Sequence, residues 1–245
     1  MSFDLILGSH SIHHALINKE RKNFELCATK QGLSDFRNKY GLDSKVKIQT
    51  FSPGELTNAS TRLANELGFK VGKVPSGIFL KCSKLDFIGN AWAHDFVSSN
   101  DKVKFIALDR VTDIHNAAAI MRTAAFFNVD GLIVGSKAAF SLTPGFFRIA
   151  SGAYEYVKLV HTPSLSKTLG KLSEKGVSII GFSEEVASTQ GERSEKSCLV
   201  FGAEEQGLSH AVERQLTQHV QLETTSPINS LNVSVAASLG MNRFF

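Results

Sequence analysis

Apolar and polar residues alternate along this chain in short blocks whose period switches between helix-like and strand-like. Residues 11–18 (SIHHALIN) follow the helical spacing, with Ser9 or Ser11 as a possible cap. Residues 24–30 (FELCATK), 45–51 (KVKIQTF) and 77–82 (GIFLKC) read as strands. Between them, residues 33–40 predict a short helix with Ser34 as cap and Gly41 as stop. Residues 52–68 predict a longer helix, capped by Ser52, with Pro53 in its first turn and Gly68 at its end. From Lys104 a second series begins. Strands are predicted at 104–109, 131–135, 154–160, 176–182, 197–202 and 219–223. Several are apolar throughout, as in a parallel sheet covered on both faces. Helices are predicted at 115–128, from Thr162-Pro163 to Lys175, at 209–217 and from Ser230 onward, with a loop and short helix over 136–152.

This pattern predicts an α/β protein of two domains: a small α/β domain over 1–83, a linker over 84–103 and a larger, mostly parallel α/β domain over 104–245. The linker stretch carries Phe87, Ile88, Trp92 and Phe96, so part of it is expected to pack.

Composition narrows the class. At 42% hydrophobic and 20% charged residues the chain is globular rather than disordered. No apolar run reaches the ~18 residues of a membrane span. The N-terminus has Asp4 and no basic leader, so a cytoplasmic protein is expected. Cys27, Cys82 and Cys198 are far apart in strand-like runs and read as buried free thiols. Residues 1–100 carry 13 Lys+Arg against 9 Asp+Glu, whereas residues 101–245 carry 14 of each. The basic excess therefore sits in the N-terminal part, which suits a polyanion-gripping module.

Candidate chemistry gathers where strands of the second series end. Asp109, Asp113, Asn116 and Arg122 follow one; Gly202, Glu204 and Gly207 another; Thr224, Thr225, Asn229, Ser230 and Asn232 a third. In open α/β sheets ligands bind outside the carboxyl ends of strands. Gly202 would let a ligand approach the backbone closely, and Ser230 could cap the final helix. Neither GxxxxGK[ST] nor GxGxxG is present.

In combination these stretches resemble the SpoU-type branch of the RNA 2′-O-ribose methyltransferases. DRVTDIHNAAAIMRTAAFFNVDGLIV (109–134) is similar to the first family motif, with Asn116 and Arg122 at its key positions. CLVFGAEEQGL (198–208) is similar to the second, with Glu204, and INSLNVSVAAS (228–238) to the third, with Ser230 and Asn232. SGAYEYVKLV (151–160) also matches, and the N-terminal part resembles, more weakly, the ribosomal-protein-like RNA-binding domain of the large-subunit rRNA guanosine methyltransferases. The resemblance implies a trefoil-knotted domain, a homodimer through the C-terminal domain, and S-adenosylmethionine as cofactor. It implies cofactor binding by Gly202, Leu222, Leu231 and Ser230, and catalytic roles for Arg122, Asn116, Glu204, Ser230 and Asn232. RNA would be the partner, rRNA before tRNA. Ala118, Glu223 and Ser226 stand where the family usually has glycine, proline and glycine. The competing class is a non-catalytic RNA-binding or ribosome-assembly protein on the same scaffold.

Other candidates carry less. His10 and His14 form an HxxxH pair without the internal glutamate of a metalloprotease, and no metal site is expected. Phe126-Phe127 and Phe146-Phe147 read as core rather than base-stacking residues. Lys19, Arg21, Lys22, Lys45 and Lys47 could touch phosphates, but as single residues they read first as solvated surface.

Overall fold

The computed structural model describes residues 3–44, 46–86, 88–136, 140–182, 191–222 and 230–245. The chain forms two compact units: residues 1–86 with 141–155, and residues 87–140 with 156–245.

The first unit holds strands β1 (Phe3–Leu7), β2 (Glu25–Ala28), β3 (Lys47–Thr50) and β4 (Ile78–Ser83) in the order β1-β4-β2-β3. β4 runs antiparallel to both β1 and β2, and β3 lies parallel to β2. Helices α1 (Ser9–Ile17), α2 (Lys30–Tyr40) and α3 (Pro53–Glu66) connect them. α3 has the expected start: Ser52 and Glu55 form a reciprocal capping box with Pro53 at the first position. Its Leu56 and Ala64 join Phe3, Leu5, Leu7, Cys27 and Phe79 in one core.

Three expectations change in this unit. β1 was not anticipated; all five of its residues are buried, so it lacks the alternation that marks a strand. α2 starts earlier than Leu33 and is capped by Thr29, whose side chain accepts from Gly32 N, rather than by Ser34. Gly32 looks like a helix breaker. It is needed because a Cβ there would collide with the carbonyls of Ser76 and Gly77. Finally, α6 (Pro144–Ala150) belongs here although its sequence lies inside the second series. Phe146 and Phe147 are buried, and Ser11 Oγ donates to Phe147 O at 2.6 Å.

α6 leads into the element that locks this unit. Arg21 Nη1 donates to Asp4 Oδ2 at 2.5 Å and to Ser83 O at 2.7 Å. Its Nη2 and Nε donate to the two carboxylate oxygens of Glu155 at 2.7 and 3.1 Å. All three side chains are buried. Burial pushes the Asp4 carboxyl above its usual range. Burial alone would lower the Arg21 pKa, but the bonded Glu155 and Asp4 outweigh it and raise it. Arg21 is therefore a buried structural ion-pair centre, neither the solvated surface residue it reads as in sequence nor a phosphate contact. Lys45 lies outside the described residues.

The second unit is a seven-stranded sheet in the order β11-β9-β10-β6-β7-β8-β5, parallel at every pairing. Its strands are β5 (Ile88–Gly89), β6 (Val103–Asp109), β7 (Gly131–Gly135), β8 (Lys158–Thr162), β9 (Ser178–Phe182), β10 (Lys196–Gly202) and β11 (Gln218–Val220). α4 (Asn90–Ser99), α7 (Leu165–Glu174) and α8 (His210–Glu213) join Phe105, Ile133, Ile179 and Val200 in the core of one face. α5 (Ile114–Phe126) and α9 (Val233–Phe244) pack together. α9 meets β10, where Gly240 lies against Phe182 and Phe201. The stretch expected as a linker is thus the edge strand β5 and helix α4. Ala93 and Val97, four residues apart, are buried in the core, with Trp92 and Phe96 packed beside them. The three cysteines are free and buried, and burial raises the Cys27 and Cys82 pKa values to about 11 and about 12. Such thiols are inert. No helix among the described residues is long and apolar enough to cross a membrane.

Candidate active site

The site lies at the carboxyl ends of β6 and β10, which pair so that Asp109 and Gly202 are neighbours. The chain leaves β6 towards β7 on one side, while β10 flanks β6 on the other. This is the topological switch point at which open α/β sheets bind ligands.

Three polar side chains from three sequence-distant segments meet there. Asp113 caps α5, its Oδ1 accepting from Asn116 N at 2.8 Å, which fixes Asn116 in the first turn. Asn232 caps α9, its Oδ1 accepting from Ser234 N at 3.0 Å. Glu204 sits in the turn after β10. Its Oε1 accepts from Asn116 Nδ2 at 3.1 Å, from Asn232 Nδ2 at 2.6 Å and from Val233 N at 3.3 Å. Asn232 Nδ2 also donates to Asn116 Oδ1 at 2.9 Å. The carboxylate thus sits beside an exposed helix N-terminus, where the helix dipole favours negative charge. Asn116 is half-buried and Glu204 and Asn232 are exposed, so the cluster faces solvent.

The remaining expected residues are placed differently. Asn232, not Ser230, caps the last helix, because helical geometry begins only at Val233. Ser230 and Leu231 are exposed just before it, and Leu222 follows β11 by two residues. Arg122 lies six residues beyond Asn116 on α5, about 9 Å further along the axis and on another face. It is exposed and, among the described residues, has no hydrogen-bond or ion-pair partner. Thr224, Thr225, Asn229, Glu223 and Ser226 lie outside the described residues. Ala118, on α5, is fully buried.

Gly202 is required for a reason other than the one expected. A Cβ there would overlap the backbone of Gly207, since the turn doubles back through an Ala203–Gly207 bridge. The close approach is made by the chain itself.

Two residues were missed or undervalued. Asp109 Oδ2 accepts from Ser209 N at 2.6 Å. Arg110 adopts φ 62°, a left-handed conformation that costs a non-glycine residue about 1–2 kcal/mol. Its Nη1 donates to Gln206 Oε1 at 2.8 Å and its Nη2 to Gly207 O at 3.3 Å. An arginine carries no sequence signal for positive φ, so nothing in the pattern could have marked it.

Among the described residues, no group of three or more His, Cys, Asp or Glu is arranged to hold a metal ion. His10 and His13 instead pack edge-on and stacked against the Tyr40 ring.

A doubly wound parallel domain with a polar cluster at its switch point is the class that fold and site define. Residues 104–242 match the SpoU rRNA Methylase family, and the chain belongs to that family. A TrmH-family tRNA/rRNA methyltransferase of Staphylococcus epidermidis is 32% identical over 97% of this chain and 93% of its own. A 23S rRNA (guanosine-2′-O-)-methyltransferase of Acinetobacter baylyi is 34% identical over 59% of this chain and 60% of its own. Among solved structures, the SpoU methyltransferase AviRb of Streptomyces viridochromogenes, in complex with AdoMet, superposes with a TM-score of 0.78. It is 18% identical and covers 99% of this chain and 89% of its own. At that identity the likeness speaks for the fold.

Proposed function

We propose that the protein transfers a methyl group from S-adenosylmethionine to a ribose 2′-hydroxyl of structured RNA, with rRNA as the substrate. The carrying observation is the Asn116–Glu204–Asn232 cluster, built from three separated segments at the switch point inside the family-matched region. Cofactor support comes from the AdoMet-bound relative of like fold, and rRNA support from the name of the Acinetobacter relative. The cofactor supplies the electrophilic methyl; Gly202, Leu222, Ser230 and Leu231 are the residues proposed to hold it.

The protein's part is orientation and electrostatics. Glu204 braces the starts of α5 and α9 so that Asn116 and Asn232 keep one geometry. Arg122, whose guanidinium is unpaired among the described residues, anchors RNA phosphate or stabilises developing oxyanion charge. A guanidinium with a pKa above ~12 is a poor base. The trefoil knot and a cytoplasmic setting belong to the same reading. So does a homodimer, for which exposed apolar residues speak: Val235 and Leu239 four residues apart on α9, Leu231 just before it, and Phe126 one turn from Arg122. RNA grip is assigned to the basic N-terminal unit.

The test is methyl transfer from labelled S-adenosylmethionine to total RNA of a strain lacking the protein, followed by mapping of ribose methylation. A new 2′-O-methyl in rRNA supports the reading. Methylation confined to tRNA would move the substrate to the other class named among the relatives. Absence of cofactor binding in calorimetry would favour the non-catalytic scaffold.

A further inference from the structure

We infer that Arg110 is a positioning residue that sets the Glu204 carboxylate against Asn116 and Asn232. In its catalytic consequence this rests on the methyl-transfer reading.

Apart from the bonds of the Glu204 carboxylate itself, the turn that carries Glu204 is held from the β6 side. Its ends are closed by Gly207 N donating to Ala203 O at 2.8 Å. Ser209 N, just beyond, is tied to Asp109. Between these points Gln206 and Gly207 are gripped by the two terminal nitrogens of Arg110. Arg110 Nε remains without a hydrogen bond among the described residues, 3.9 Å from Asp109 Oδ1. The grip is therefore made by the fork alone. It reaches the turn because the left-handed backbone at Arg110 redirects the chain at the end of β6. Strained residues persist where surrounding structure over-determines them, and they cluster at functional sites.

A stability role does not account for this residue. Its side chain is 38% exposed, where hydrogen bonds contribute little. Its backbone conformation opposes folding. What the clamp does fix is the distance between the turn and the first residues of α5 and α9, the geometry on which the cluster depends.

Arg110→Gly removes clamp and strain together. The full-length variant is expected to melt at or above the wild-type temperature. Exchange of the Val233 amide, whose acceptor is Glu204, should quicken about tenfold. Single-turnover methyl transfer should fall about tenfold or more, as for a displaced catalytic group. Arg110→Lys should rescue little, because one ammonium cannot reproduce the two-donor fork. In a Glu204→Ala background, Arg110→Gly should cause no further loss of rate. Unchanged Val233 exchange in Arg110→Gly overturns the inference, as does an equal further loss in the Glu204→Ala background. Quickened Val233 exchange in Arg110→Gly, together with no methyl transfer by the wild-type protein, would support the clamp and overturn the methyl-transfer reading instead.

Discussion

The two units each contain a three-residue polar network that joins segments far apart in sequence, and the two networks serve opposite ends. In the first unit, Asp4, Arg21 and Glu155 are buried, and the Arg21 guanidinium donates to both carboxylates and to a backbone carbonyl. In the second, Asn116, Glu204 and Asn232 stand at the open ends of strands, facing solvent. A buried charge deprived of its partner is costly, so the first network holds its unit together. An exposed neutral–anionic cluster contributes little to stability, so the second is free to be selected for geometry. Burial, more than residue type, separates the structural network from the one proposed for catalysis.

The sharpest way to break the comparison is Arg21→Ala. It should destabilise the protein by about 3–5 kcal/mol in urea melts, because two carboxylates are left buried without a counter-charge. Replacing Asp4, Arg21 and Glu155 together by apolar residues of similar volume should cost far less, which separates loss of a partner from loss of the network.

Glu204→Ala should behave in the opposite manner. Thermal melts are expected within about 1 kcal/mol of wild type, while single-turnover methyl transfer falls by about 10²-fold. Arg122→Ala should lower the rate on a similar scale with cofactor affinity nearly unchanged, and Arg122→Lys should restore little. A near-normal rate in Arg122→Ala would leave the exposed guanidinium with no catalytic part.

Gly202→Val should open the 203–207 turn, since its side chain cannot coexist with the Gly207 backbone. Cofactor affinity measured by calorimetry is expected to drop about tenfold or more while circular dichroism stays native, the scale on which small misplacements act.

The smallest effect is in pH. Burial lowers the pKa of His14 in the first unit and of His94 and His161 in the second below the ordinary 6.5. Between the folded values and 6.5 the unfolded chain binds more protons, so stability rises with pH through that window. Melts should show full stability above pH 6.5 and a progressive loss as pH falls through the folded values. The largest single share is expected from His94, both of whose ring nitrogens are buried without a hydrogen bond among the described residues.

How much of this was legible in the sequence follows from how local each signal is. The parallel strands of the second unit announced themselves through apolar runs and the site region through polar residues beyond strand ends, but Asn116, Glu204 and Asn232 were singled out among these by the resemblance to the family motifs. Ser52 and Pro53 marked α3 because capping is a matter of adjacent residues. β1 gave no alternation because its polar Asp4 is itself buried by Arg21. α4 was hidden because its polar ends, rather than its Trp92/Phe96 stripe, dominate the composition of that stretch. The roles of Arg21 and Arg110 depend on partners 134 and 96 residues away, and no local pattern carries such information.

The placement of residues 141–155 in the first unit has a consequence for biosynthesis. A ribosome releases the chain from its N-terminus, yet Arg21 does not meet Glu155 until a further 134 residues have been made. At ~5–20 residues per second that interval is roughly 7–27 s. For that time the nascent sheet carries a cation with half of its acceptors and an apolar surface awaiting Phe146 and Phe147. The first unit is therefore complete only once residue 155 has been made, well after its last strand has been translated. A chaperone that shelters partly finished sheets would have most to protect before residue 155 emerges.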